Sequence, residues 1–307
     1  MATNFSKIDI KKEGKKFVTT VLNDPNFKKD GFLYGHKPDW LWWAAVDGAR
    51  HPLYVWEKSG IANYPESAKK LGSAAFSNGP MMANPSLSSP RPPSLGPVHG
   101  DHHKVDDKGA GNVDAWLYLF GRKTAAPSGI VFTDYEIKKS DDPKGYTEVI
   151  TALIPLVVNS QPCSVHPKKG GVADPMFNEG YRDLIEGQPG HDGNKRVDGW
   201  ALVPVAAAST AGDDKQNDTK GEKSTDPGGA AATASGGIVL AIGTVWDGHI
   251  KEIVSILVSI GTRDAVAMDG STSVMLGEHG EAWFTPEGGA GTVKNIWQKY
   301  GFCCGGT

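Results

Sequence analysis

Residues 237–281, GIVLAIGTVWDGHIKEIVSILVSIGTRDAVAMDGSTSVMLGEHGE, carry the most legible fold signal in this 307-residue chain. The segment IVLAIGTVW, from Ile238, is a continuous apolar run of the kind found in strands covered on both faces. Asp247 can cap a helix that begins at His249. In it Ile250, Ile253, Val254, Leu257, Val258 and Ile260 recur at helical spacing, and Gly261 supplies the stop. Ala265-Val266-Ala267-Met268 then reads as a short buried strand. Strand, helix and strand in that order predict a β-α-β unit whose two strands run parallel through a right-handed crossover. The expected fold is therefore α/β (mixed α+β): a central mixed, partly parallel sheet with flanking helices and long loops.

Upstream, DWLWWAAVDGARHPLYVW (39–56) reads as two strands about the Asp47-Gly48 turn, a hairpin by default. NYPESAKKLG (63–72) has helix punctuation, with Pro65 suited to a first position and Gly72 to the residue past the end. Ala74-Ala75-Phe76 follows as a short apolar strand running into Ser77-Asn78-Gly79-Pro80. Residues 80–112 are too rich in Pro, Gly and Ser for regular structure and read as a lid or rim. AWLYLFG (115–121), GIVFTDYEI (129–137), TALIPLVVN (151–159) and WALVPVAAA (200–208) are strand candidates. Residues 209–237 contain almost no large apolar side chains and read as a flexible surface loop. The domain reading is an arm or strand over 1–35, then one domain over 36–307 with loops at 80–112 and 209–237.

Composition narrows the function classes. Thirty-two basic against 35 acidic residues leave a net charge of -3, which gives no footprint for nucleic acid or an anionic membrane. No apolar run approaches the ~18 residues that a membrane helix needs. Lysines near the start have no apolar stretch behind them, so no signal peptide is visible and the reading is cytoplasmic unless a leader has been removed. Cys163, Cys303 and Cys304 are an odd set without CxxC spacing, and so form neither a disulfide framework nor a zinc site. Nine Trp are a source of flat apolar faces with one polar edge, suited to sugars or simply to packing.

Ligands of open α/β sheets bind beyond the carboxyl ends of strands. Asp269 falls at such an end, followed by Gly270 and the hydroxyls of Ser271, Thr272 and Ser273. A carboxylate beside a cluster of backbone and hydroxyl donors is what a phosphorylated or hydroxyl-rich substrate requires. The competing reading is a bare Asp-Gly hairpin turn with SVMLG as the return strand. Asn78-Gly79 repeats the arrangement, and two such strand ends could meet over one pocket. His99-Gly100-Asp101-His102-His103 is a possible metal loop. GxSxG, Walker and GxGxxG patterns are absent.

On these residues the chain resembles the phosphodiester glycosidases. The family's strand, helix ending in Leu/Ile-Gly, and Ala-hydrophobic-Asp-Gly-Gly-Gly-Ser pattern is similar to 237–281, and its Asn-Gly-Gly-Phe-Phe strand end is similar to SAAFSNGPMM at Asn78 and Gly79. Ser271, Thr272 and Pro80 stand where the family has glycines, and the family's Arg-Thr-Ala segment finds no Arg around WALVPV. The resemblance implies an enzyme that releases a sugar such as N-acetylglucosamine from a glycan or small molecule carrying a sugar phosphodiester, and the residues themselves give no expectation of a cofactor or metal. It also implies a secreted protein where a leader has been removed. On that reading Asp269 is the catalytic carboxylate and Asn78 its partner. Gly79, Gly270, Ser271, Thr272 and Ser273 contact phosphate or sugar, and Arg196 offers a bidentate phosphate contact. A second carboxylate is open among Asp47, Asp134, Glu278 and Glu281. The rival readings are a non-catalytic glycan-binding module of the same fold and a metal-dependent hydrolase using the 99–103 histidines.

Overall fold

The structure is a computed structural model. It describes residues 5–58, 69–80, 94, 96–109, 116–123, 126–136, 145–152, 154–162, 198–205, 237–244, 250–268, 275–278, 281–284 and 299–306. The helix expected over 63–72 lies mostly outside these residues.

The chain opens with helices α1 (Ile10–Glu13), α2 (Phe17–Asn23) and α3 (Pro25–Asp30), within the stretch read as an arm or strand. Strands β1 (Phe32–Gly35), β2 (Leu41–Asp47), β3 (Leu53–Glu57), β4 (Ala75–Asn78), β5 (Val98–Gly100) and β6 (Val105–Asp107) follow. Next come β7 (Trp116–Lys123), β8 (Ala126–Glu136), β9 (Tyr146–Ala152), β10 (Ile154–Val158), β11 (Gln161–Pro162) and β12 (Asp198–Val203). The last part holds β13 (Ile238–Thr244), α4 (Ile250–Ser259), β14 (Asp264–Ala267), β15 (Leu276–Glu278), β16 (Glu281–Phe284) and β17 (Tyr300–Cys304).

These strands form three sheets, in the orders β1-β2-β13-β12-β14-β10-β11, β16-β15-β4-β17-β3 and β6-β5-β9-β7-β8. Every ladder between them is antiparallel. The expected α/β fold with a partly parallel sheet is therefore corrected to a mainly β fold with a few short helices. The reason lies in one strand. β13 and β14 do run the same way, but β12 lies between them and is antiparallel to both, pairing Ala201 with Leu240 on one side and with Ala265 on the other. A strand inserted from a distant part of the chain is invisible to local periodicity, which shows only strand, helix and strand.

The apolar run of β13 is buried along its whole length, as expected, because each face of the first sheet is covered by a different layer. On one face, Ile10, Phe17, Val21 and Phe27 of the N-terminal helices join Ile250, Ile253, Val254 and Leu257 of α4 over Trp43, Leu240 and Ala265. On the other, Val239, Ala241, Trp200 and Val266 meet Ala75, Leu276 and Phe302 of the second sheet. Burial of such side chains at roughly 1.5–3 kcal/mol each is the main favourable term. Local chemistry sets the element ends. Asp24 accepts hydrogen bonds from the Asn26 and Phe27 amides at the start of α3, Pro25 takes the first position, and Gly31 closes it at φ 78°.

The Asp47-Gly48 hairpin is also corrected. Both strands exist, but β2 pairs with β1 and β13 while β3 pairs with β17, so the turn carries the chain from the first sheet into the second. Within the expected 80–112 loop, β5 and β6 pair as a short hairpin of the third sheet.

Candidate active site

β4 sits between β15 and β17, with Ser77 opposite Leu276 and Phe302. Alternation turns Ser77 toward the first sheet, where Trp200 Nε1 donates to its Oγ at 2.6 Å. The hydroxyl in turn donates to the Asn78 carbonyl at 2.9 Å. A buried indole N–H and a buried hydroxyl are thus both satisfied, and the join between the first two sheets is fixed two residues from the start of β12. Trp200 lies directly opposite Val266 on β14. The ends of β4 and β14 are therefore referred to one indole.

Asn78 is buried, and its Oδ1 accepts from the Met275 amide at 2.8 Å. That bond continues the β4–β15 ladder by one rung, with a side chain replacing the backbone carbonyl. Gly79 follows at a point where a Cβ would stand 2.0 Å from the Tyr300 carbonyl oxygen, so no larger residue fits the backbone there. On the other side, Met268, the residue after β14, is buried in the core shared by the first two sheets. Asp269, Gly270, Ser271, Thr272, Ser273 and Arg196 lie outside the described residues; the described residues that flank the Asp269 run are Met268 and Met275. β14 belongs to the first sheet and β15 to the second, so the run connects two sheets. At Asn78-Gly79 the expected hairpin turn is not formed, since both neighbours of β4 are strands from later in the chain, β15 and β17.

Of the four open carboxylates, Asp47 sits at the wrong end of the first sheet. It pairs with Ile238, whereas Leu41, six residues earlier, pairs with Thr244; at ~3.4 Å per residue that is roughly 20 Å away. Glu278 is buried on β15 beside Tyr34 of β1. Burial, and then the hydrogen bond to Glu278, push the Tyr34 phenol well above its ordinary range. Asp134 lies on β8 and Glu281 on β16. Nothing local in the sequence marks Tyr34 or Trp200, whose partners come from distant strands.

The histidine loop is the β5–β6 turn. His102 stacks on Tyr54 with centroids 4.0 Å apart, and the Arg122 guanidinium lies 4.8 Å from the same ring centroid. Glu148 accepts from the amides of Val55 at 2.7 Å and His102 at 3.0 Å, joining the second and third sheets. Burial raises the Glu148 carboxyl above its usual range, and burial with the neighbouring His102 lowers the His103 imidazole. Among the described residues no three His, Cys, Asp or Glu side chains converge as a cation site, and no helix is long and apolar enough to cross a membrane. Cys303 and Cys304 are buried free thiols whose burial raises their pKa.

The fold is similar to that of a catalytic domain of a phosphodiester glycosidase. The structure is similar to the catalytic domain of zebrafish N-acetylglucosamine-1-phosphodiester alpha-N-acetylglucosaminidase, auto-inhibited by its pro-peptide, at TM-score 0.54 and 12% identity over 87% of this chain and 77% of that one. It also matches a hypothetical protein from Synechocystis (TM-score 0.45, 10% identity, 90% of this chain and 62% of that one). A putative exported protein from Burkholderia pseudomallei matches at TM-score 0.44 and 10% identity, over 86% of this chain and 73% of that one. No protein-family model and no curated protein sequence matches the chain. At these identities the likeness is one of fold.

Proposed function

We propose that the protein is a glycoside hydrolase that cleaves a sugar from a glycosyl phosphodiester at the anomeric carbon. The observation that supports this most is the bond from the Met275 amide to Asn78 Oδ1. It ties the exit of the Asp269 run to the end of β4, in a chain that shares the fold of such an enzyme's catalytic domain. In this reading the bond from the anomeric carbon to the phosphate oxygen breaks, its electron pair leaves with the phosphate monoester, and water adds to the sugar. Asp269 stabilises the oxocarbenium-like charge or takes the proton from that water. The Gly79 and Gly270 amides and the hydroxyls of Ser271, Thr272 and Ser273 hold phosphate and sugar, and Arg196 grips the phosphate with two N–H groups. Asn78 acts as a positioning residue through Met275.

The test is release of free sugar from a panel of N-acetylglucosamine 1-phosphodiesters. Asp269→Asn is expected to lower kcat by about a thousandfold, the scale of losing an essential acid–base group, while leaving the melting temperature unchanged. Turnover at the wild-type rate in that variant removes the assignment. A wild-type protein that releases no sugar from any diester removes the reading itself.

A further inference from the structure

The chain is close to neutral as a whole, but its charge is unevenly spread. Eight of its 32 basic residues and only four of its 35 acidic ones lie in the first 37 positions, so all of the acidic excess belongs to the remainder. The fold gathers most of this basic segment into one layer. Residues of α1, α2 and α3 cover one face of the first sheet together with α4, while residues of the second and third sheets pack on its other face.

Within that layer the two signs are sorted by depth. All eight lysines are exposed, as is Lys251 on α4, whereas Asp9, Glu13, Asp24, Asp30 and Glu252 are half-buried. Each acid is also engaged. Asp9 and Asp24 accept from backbone amides as helix caps, and Glu13 accepts from the Thr20 hydroxyl. Asp30 lies 3.7 Å from the Lys29 ammonium, and Glu252 takes the Lys11 ammonium. Lys7, Lys15, Lys16 and Lys37 have no ion-pair partner among the described residues. Lys15 and Lys16 line one open groove with Thr19, Thr20, Asn23 and Asp24, which sets hydroxyls one helical turn from two ammonium groups.

The chemistry of the layer selects its partner. Every cation in the first 37 positions is Lys, a hydrated point charge, and none is Arg, whose planar fork grips phosphate in a fixed geometry. Phe17 and Phe27, the rings of these helices, are buried, so neither is offered for stacking on nucleic-acid bases. A helical face with about four to eight exposed lysines is suited to anionic lipid headgroups, where each contributes about fivefold to partitioning.

We propose that the helical layer docks the protein on a bilayer rich in anionic phospholipid, with Lys15 and Lys16 as central contacts. This docking is electrostatic and independent of the catalytic assignment. It turns the second sheet, with the Asn78 strand end, to the side of the first sheet away from the lipid. The test is co-sedimentation with vesicles of phosphatidylcholine alone and of phosphatidylcholine with phosphatidylglycerol in equal parts. The protein is expected to pellet only with the anionic vesicles and to be released by high salt, which screens surface charge. Lys15→Gln/Lys16→Gln is expected to lower the partition coefficient about twenty-five-fold, at fivefold per lysine, with an unchanged melting temperature. Lys104→Gln/Lys108→Gln makes the same change of net charge on the β5–β6 hairpin of the third sheet, and should stay within about twofold of wild type. No pelleting with anionic vesicles, equal pelleting with both kinds, or equal losses in the two double variants overturns the proposal. Tighter binding to poly-glutamate than to the anionic vesicles at equal charge also overturns it, by making an acidic chain the preferred partner.

Discussion

The two joins between sheets are built on opposite principles. Between the first and second sheets the link is a neutral relay, from the Trp200 indole to the Ser77 hydroxyl to the Asn78 carbonyl. Between the second and third it is a buried carboxylate, Glu148, which accepts two backbone amides with Arg122 4.0 Å away. A neutral relay holds geometry across the whole working pH range. A buried acid holds it only while its charge is tolerated, because removal from water penalises the ionised form. The candidate active site belongs to the neutral join, and Glu148, His102 and His103 lie at the other.

Breaking the acidic join should have the largest effect. Glu148→Ala leaves the Val55 and His102 amides without their acceptor in a buried place, an expected loss of about 3 kcal/mol in urea unfolding, the scale of orphaning two buried donors. Glu148→Gln keeps an acceptor oxygen and removes the charge, so it should cost less than half as much. Equal losses in the two variants would mean that shape alone, with no hydrogen bonding, holds the third sheet.

The neutral join should be weaker. Ser77→Ala strands the Trp200 N–H, and Trp200→Phe removes the donor and its bond together. The first is expected to cost about 1–2 kcal/mol, and the second a comparable amount from the smaller ring. If the relay positions the site, Ser77→Ala also lowers kcat on a sugar phosphodiester without moving KM, because it loosens the strand that carries Asn78. An unchanged kcat would limit the relay to stability.

The contrast also shows what could be read beforehand. The apolar run of β13, the helical spacing of α4 and the short strands β4 and β14 are local patterns, and each formed where its residues predicted. The order of strands was not local. β12 entered between β13 and β14, and β2 and β3 parted into different sheets, β2 pairing with β1 and β13 and β3 with β17. Asn78 was legible as a polar strand end, but its bond to Met275 spans 197 positions. Glu148 was not singled out at all, since its two amide partners lie 93 and 46 positions away, and an isolated Glu in TEVITA looks like an ordinary solvated strand residue.

The smallest effect expected is on pH dependence, and it separates the two joins most cleanly. The His103 pKa is lowered in the folded protein by burial and by His102. Its share of stability is therefore present above the unfolded value near 6.5 and is lost as pH falls through the folded one. The Glu148 pKa is raised, so its share has the opposite sign: it is present below the unfolded value near 4.5 and lost as pH rises through the folded one. Stability should accordingly dip as pH falls below about 6.5 and then recover in part as Glu148 takes up its proton. Asp264, buried with a raised pKa, adds to the recovery. His103→Gln should remove the dip and Glu148→Gln should weaken the recovery, both read as chemical-denaturation midpoints between pH 4 and pH 8, while Ser77→Ala should shift the whole curve without changing its shape. A dip that survives His103→Gln would move the pH-sensitive element away from the β5–β6 turn.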